Sequence, residues 1–131
     1  MSLVDDCVKA LGSEARIVPK EETSSLFHQF MQLFQFTSWG RIDWTQVEQK
    51  IVIDAASDVL PLFMERRKEL HDAVFIVWDE VTKPAVESKL INVITYIDAI
   101  TIVSFDTWIF CPKEKYVIEF YHEGEITIGF K

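Results

Sequence analysis

Alternation of apolar and polar positions is clearest in the last third of the chain. Residues Ile100 to Lys131 hold four short runs, TIVSF, DTWIFC, KYVIEFY and EITIGF, separated by Phe105-Asp106, Pro112-Lys113-Glu114 and Glu123-Gly124. Runs of β-branched and aromatic residues between turn residues predict a four-strand antiparallel meander. The last hairpin is readable to its register. With His122-Glu123-Gly124 as a three-residue loop, Phe120 faces Ile126, Ile118 faces Ile128 and Tyr116 faces Phe130. One face is then wholly apolar, and Val117, Glu119, Tyr121, Glu125 and Thr127 share the other. A two-residue loop would shift the pairing and mix the faces, so the apolar pattern selects the three-residue loop.

Upstream, the apolar period is mostly helical. Leu3, Val4, Cys7, Val8 and Leu11 recur at helix spacing before Gly12, where a helix would stop. Ala15 to Val18 is strand-like. A longer helix then opens at Pro19, carries Glu21 and Glu22 in its first turn and runs to about Thr37-Ser38. Arg41-Ile-Asp-Trp44 and Lys50 to Ile53 read as a pair of strands. Ser57 or Asp58 caps the next helix, with Pro61 in its first turn and Arg66, Arg67 and Lys68 in its last. Ala73 to Trp78 is apolar without alternation, which predicts a central strand covered on both faces. Pro84 starts a helix with Val86, Leu90, Val93, Ile94 and Ile97 on one stripe. The expectation is an α+β fold in a single domain, 1–131. Its antiparallel or mixed sheet has about five to seven strands, ends in the C-terminal four-strand meander, and carries three to four packed helices.

Composition narrows the functional classes. The chain has 131 residues, 49% of them hydrophobic, enough for a core without staples. A net charge of −8 disfavours phosphate backbones and anionic membranes and suits a basic partner. No leader or membrane span is read, with Asp5 and Asp6 near the start, so the expected location is cytoplasmic. Cys7 and Cys111 read as free buried thiols.

Candidate chemistry is sparse. Cys111, His122 and Asp106 form a conceivable nucleophile, base and orienter, but that set requires contact between Cys111 and His122, which lie far apart along the meander. A buried thiol and an exposed turn histidine is the preferred account. Neither the three histidines nor the two cysteines show metal-ligand spacing, and no glycine cluster can cradle a phosphate, so no cofactor or metal is expected. The basic run Arg66-Arg67-Lys68 is bracketed by acids and reads as a solvated helix end. Carboxylates at Asp79, Asp98, Asp106 and Glu119 would serve acid–base chemistry if they met in a helix–sheet pocket. Alternatively, an acidic, aromatic-studded face of Glu119, Tyr121, Glu123, Glu125, Trp108 and Asp106 would dock a basic protein.

The run Ile76-Val-Trp-Asp79, the Pro84-led helix, Asp106-Thr-Trp-Ile109 and Ile118-Glu-Phe-Tyr-His-Glu-Gly-Glu-Ile126 together resemble small bacterial immunity-type proteins. Those proteins are encoded beside polymorphic or contact-dependent toxins and neutralise them. The resemblance spans roughly residues 70 to 131 and implies a cytosolic, non-enzymatic inhibitor that binds its toxin directly, often a basic nuclease. It is the first of three expectations. The second is a small-ligand binder or hydrolase-like enzyme using the carboxylates. The third is a homo-oligomeric scaffold pairing through an edge strand or through Trp39 to Trp44.

Overall fold

The computed structural model describes residues 2–131. Seven strands form one antiparallel sheet in the order β1-β4-β3-β5-β6-β7-β2. They are β1 (Arg16–Ile17), β2 (Gln49–Ile53), β3 (Ala73–Trp78), β4 (Val86–Lys89), β5 (Thr107–Cys111), β6 (Tyr116–Phe120) and β7 (Ile126–Phe130). The helices are α1 (Leu3–Leu11), α2 (Lys20–Leu33), α3 (Val59–Glu65), α4 (Leu90–Thr95) and α5 (Ile97–Thr101). The architecture is α+β.

Both faces of the sheet are covered, because β3, β5 and β6 carry apolar side chains on both sides. On one face Val74, Ile76, Trp78, Ile109, Tyr116, Ile118 and Ile128 pack against Val4, Cys7 and Leu11 of α1, Val59 and Phe63 of α3, Leu90 and Val93 of α4 and Ile100 of α5. On the other, Val77, Trp108, Phe110 and Val117 meet Leu26 and Phe30 of α2 together with Phe34, Ile42 and Val47. The Phe30 and Phe110 rings stack at 4.9 Å between centroids. Each such ring withdrawn from water contributes about 1.5–3 kcal/mol. Cys7 and Cys111 are free and buried in the first layer.

Local chemistry explains the element ends. Ser2 and Asp5 form a reciprocal capping box at the start of α1, and Gly12 ends that helix at φ +83°. The β6–β7 hairpin has the expected register, with Tyr116 opposite Phe130, Ile118 opposite Ile128 and Phe120 opposite Ile126. Its loop closes through Tyr121 N–H to the Glu125 carbonyl at 3.0 Å, with Gly124 at φ +96°.

Five stretches differ from the pattern-based reading. Val86–Lys89 is strand, not helix: Val86 and Ser88 point into the core while Glu87 and Lys89 point outward, and the segment fills the gap between β1 and β3. Ile100 to Phe105 is not strand. Ile100 and Val103 are needed under the sheet, and Trp78 Nε1 donates to the Ile100 carbonyl at 3.0 Å, so the chain arrives as α5 and a turn. The meander therefore has three strands, and β2 adds itself beside β7. Arg41 to Trp44 does not pair with Lys50 to Ile53. It makes a single bridge, Phe36 to Ile42, followed by one tight helical turn, Trp44–Gln46. Finally, α2 ends at Leu33 and α3 at Glu65, so Arg66, Arg67 and Lys68 follow the helix, Arg67 at φ +57°.

Candidate functional site

The chain from Phe36 to Val47 lies as a strap across the sheet face that carries Glu119 and Thr127. Gly129 makes this possible. An added Cβ there would stand 2.6 Å from Cζ3 of Trp44, so the bare glycine is the seat of the Trp44 ring.

Under the strap, the Glu119 side chain is wholly buried. Its Oε1 accepts Arg41 Nε at 3.0 Å, Arg41 Nη2 at 2.7 Å and Trp44 Nε1 at 2.9 Å. Its Oε2 accepts the Ile42 backbone N–H at 2.9 Å and Trp108 Nε1 at 3.0 Å. A buried carboxylate persists only with such compensation. Arg41 also reaches Glu125 at 2.7 Å, and its guanidinium lies 4.2 Å over the Tyr121 ring. Burial works against the Arg41 charge, and hydrogen bonds to Glu125 and Glu119 outweigh it, so its pKa is held above the ordinary arginine value.

Asp106 forms a second clamp. Its Oδ1 accepts the His122 backbone N–H at 2.8 Å and lies 3.0 Å from His122 Nδ1. Its own N–H donates to Asp79 Oδ1 at 3.0 Å. The end of β3, the start of β5 and the tip of the last hairpin are thereby tied together.

The six residues expected to make an acidic docking face consequently separate by depth. Glu119 and Trp108 are sealed inside and Asp106 is buried, because the strap and the hairpin tip cover them. The exposure expected for these three is corrected. Tyr121 is half-buried beneath Arg41, while Glu123 and Glu125 stand in solvent at the hairpin tip. Arg41, Ile42 and Trp44, which build the Glu119 socket, escaped sequence reasoning. The signal was a lone arginine between tryptophans in Trp39 to Trp44, opposite a strand glutamate that an apolar neighbourhood cannot satisfy.

Nor do the four carboxylates converge for acid–base chemistry: Asp79 meets Asp106 only through backbone N–H groups. Glu119 is enclosed on the α2 face, whereas Asp98 is exposed on α5 over the other face. Cys111 closes β5 at the strand end away from Asp106, so it makes no nucleophile–base contact with His122. Burial raises the Cys111 pKa above its ordinary value, which disfavours the thiolate a nucleophile needs. Among the described residues no group of three or more His, Cys, Asp or Glu side chains is arranged to hold a metal ion, and no helix is long and apolar enough to cross a membrane.

No match was found among curated proteins. The family model described as "CdiI immunity protein EcoliA0-like" matches residues 1–129, which takes in the strap and α1 as well as the C-terminal strands. A sheet end held rigid by two buried carboxylate clamps thus belongs to a chain of known kin: the protein is a member of the EcoliA0-like CdiI immunity protein family.

Proposed function

We propose that this protein acts in the cytosol as a non-enzymatic immunity protein, neutralising its cognate toxin by direct contact. The match over residues 1–129 carries the reading. The β6–β7 hairpin tip supplies the contact, with Tyr121, Glu123 and Glu125 touching the partner. Glu119, Trp108 and Asp106 hold that tip in place from behind, so little ordering entropy remains to be lost on binding. A basic toxin, such as a nuclease, suits the net charge of −8.

The test is to purify the toxin domain encoded by the neighbouring gene and titrate it with this protein by calorimetry, alongside co-expression in a growth assay. A one-to-one complex and restored growth are expected. Growth arrest that this protein does not relieve, together with no heat of binding, would overturn the reading.

A further inference from the structure

Three regions outside the Glu119 socket are open to solvent with a definite chemistry. One is an apolar recess between α2 and the β3–β4 loop, near Phe27, Met31 and Val81. Another is the basic end around Arg66, Arg67, Lys113 and Lys115. The third is a pocket between α5 and the β6–β7 hairpin, and it supports the most specific inference.

That pocket holds about 320 Å³ and is lined by Asp98, Thr101, Phe105, Tyr121, His122 and Ile126, among others. This volume lies at the small end of ligand sites, which suits one long side chain better than a large ligand. Its lining contains no lysine or arginine. Asp98 is exposed and makes no ion pair or hydrogen bond among the described residues. Thr101 Oγ1 donates to the Ile97 carbonyl at 3.1 Å, so its lone pairs remain to accept from an incoming donor. Phe105 and Tyr121 flank His122 at 6.2 and 4.3 Å between ring centroids, giving a short aromatic ridge. At the rim, Phe105 is 79% exposed, and it shares an adjoining recess with Ile102, itself 66% exposed. Large exposed apolar groups beside a concave acidic site mark a protein docking surface.

We infer that this pocket receives an arginine or lysine side chain of the toxin, with Asp98 as its counter-charge, the aromatic ridge against its stem or cation, and Phe105 packing at its rim. The inference rests on the immunity reading above and adds where the toxin is gripped and by what chemistry. A cationic occupant follows from an unpaired acid, the exposed Phe105 ring and a lining without lysine or arginine, while the Tyr121 ring already carries Arg41 at 4.2 Å.

The experiment measures the affinity of the purified neighbouring-gene toxin domain for wild type, Asp98→Asn, Asp98→Arg and the control Glu65→Gln. Glu65 is exposed at the end of α3, toward the opposite end of the sheet. Asp98 is exposed, so each variant is expected to keep the wild-type circular dichroism and urea midpoint. Asp98→Asn should weaken binding about tenfold and Asp98→Arg roughly thirtyfold or more, with Glu65→Gln within about twofold of wild type. If Asp98→Arg binds like wild type, the pocket is not the grip. If only Asp98→Arg loses affinity and Asp98→Asn does not, the pocket is contacted but its occupant is not cationic, and the inference falls. A wild-type protein that does not bind the toxin removes the immunity reading first, which separates the two failures.

Discussion

The carboxylate of Glu119 does at the residue level what a surface acid never could. It pins the strap to the sheet through four hydrogen bonds from Arg41, Ile42 and Trp44, and accepts a fifth from Trp108 of β5. Glu119→Ala would leave the Ile42 N–H and two indole N–H groups without their acceptor and half-buried Arg41 with Glu125 alone, and breaking up such a buried cluster costs about 3–5 kcal/mol. Urea denaturation should show that loss, against less than about 0.5 kcal/mol for the exposed Glu123→Ala. Period-two reasoning had placed Glu119 on the polar face correctly. It had no means to show that the same face is roofed, since the roof comes from a segment over seventy residues away in the chain. Cys7 supplies a pH prediction. Burial pushes its thiol up to about 11 from an ordinary 9.0. The unfolded chain therefore releases this proton first, and the associated stability, complete below the unfolded value, is lost as pH rises from about 9 to about 11. Thermal melts at about pH 8 and about pH 10.5 should show the fall, with a smaller drop between the two in Cys7→Ala. Cys111 and Tyr116, both raised first of all by burial, add to the same alkaline loss in either protein.

Among the elements, the β6–β7 hairpin was legible because its apolar set allows only one register. Elements whose identity depends on neighbours were not. Val86–Lys89 fits both a helical stripe and a strict alternation, and only the vacancy between β1 and β3 decides for strand. Ile100 to Phe105 has high β propensity, yet the need to put Ile100 and Val103 beneath the sheet overrides it. The strap was the least legible element, since its own residues carry no period and its contacts are all long-range. Its seat is nevertheless a single position. Gly129→Ala places a methyl 2.6 Å from a Trp44 ring that Glu119 holds in place, so the ring cannot simply turn aside. The expected cost is about 1–3 kcal/mol, read as a lower melting temperature together with a change in tryptophan fluorescence as Trp44 leaves its seat. An unchanged melting temperature would mean that the strap is not anchored through Trp44.

Across the whole molecule, the antiparallel order sorts charge by sheet end. The loops that follow β2, β3 and β6 and precede β5 bring Asp54, Asp79, Glu80, Asp106, Glu123 and Glu125 to one end, where Lys83 and Arg41 are already paired with acids. Arg66, Arg67, Lys68, Lys113, Lys115 and Lys131 collect at the other among Glu65, Glu69, Asp72 and Glu114, with Lys113 paired to Asp72 and Arg66 and Lys68 over the Phe130 ring, so a smaller positive excess remains there. Such a dipole orients an approaching basic protein toward the acidic end before contact is made, which speeds encounter more than it strengthens the complex. Glu123 is the position where this effect can be isolated, because it is exposed and makes no ion pair or hydrogen bond among the described residues. Reversing Glu119 would instead unseat the strap, and reversing Glu125 would cost Arg41 a partner. With the toxin in stopped flow, Glu123→Lys should slow association by about two- to tenfold at low salt and flatten its dependence on ionic strength. Dissociation should change by less than about twofold, as expected for a rim charge. An association rate unmoved by this reversal would show that the toxin approaches another end of the sheet.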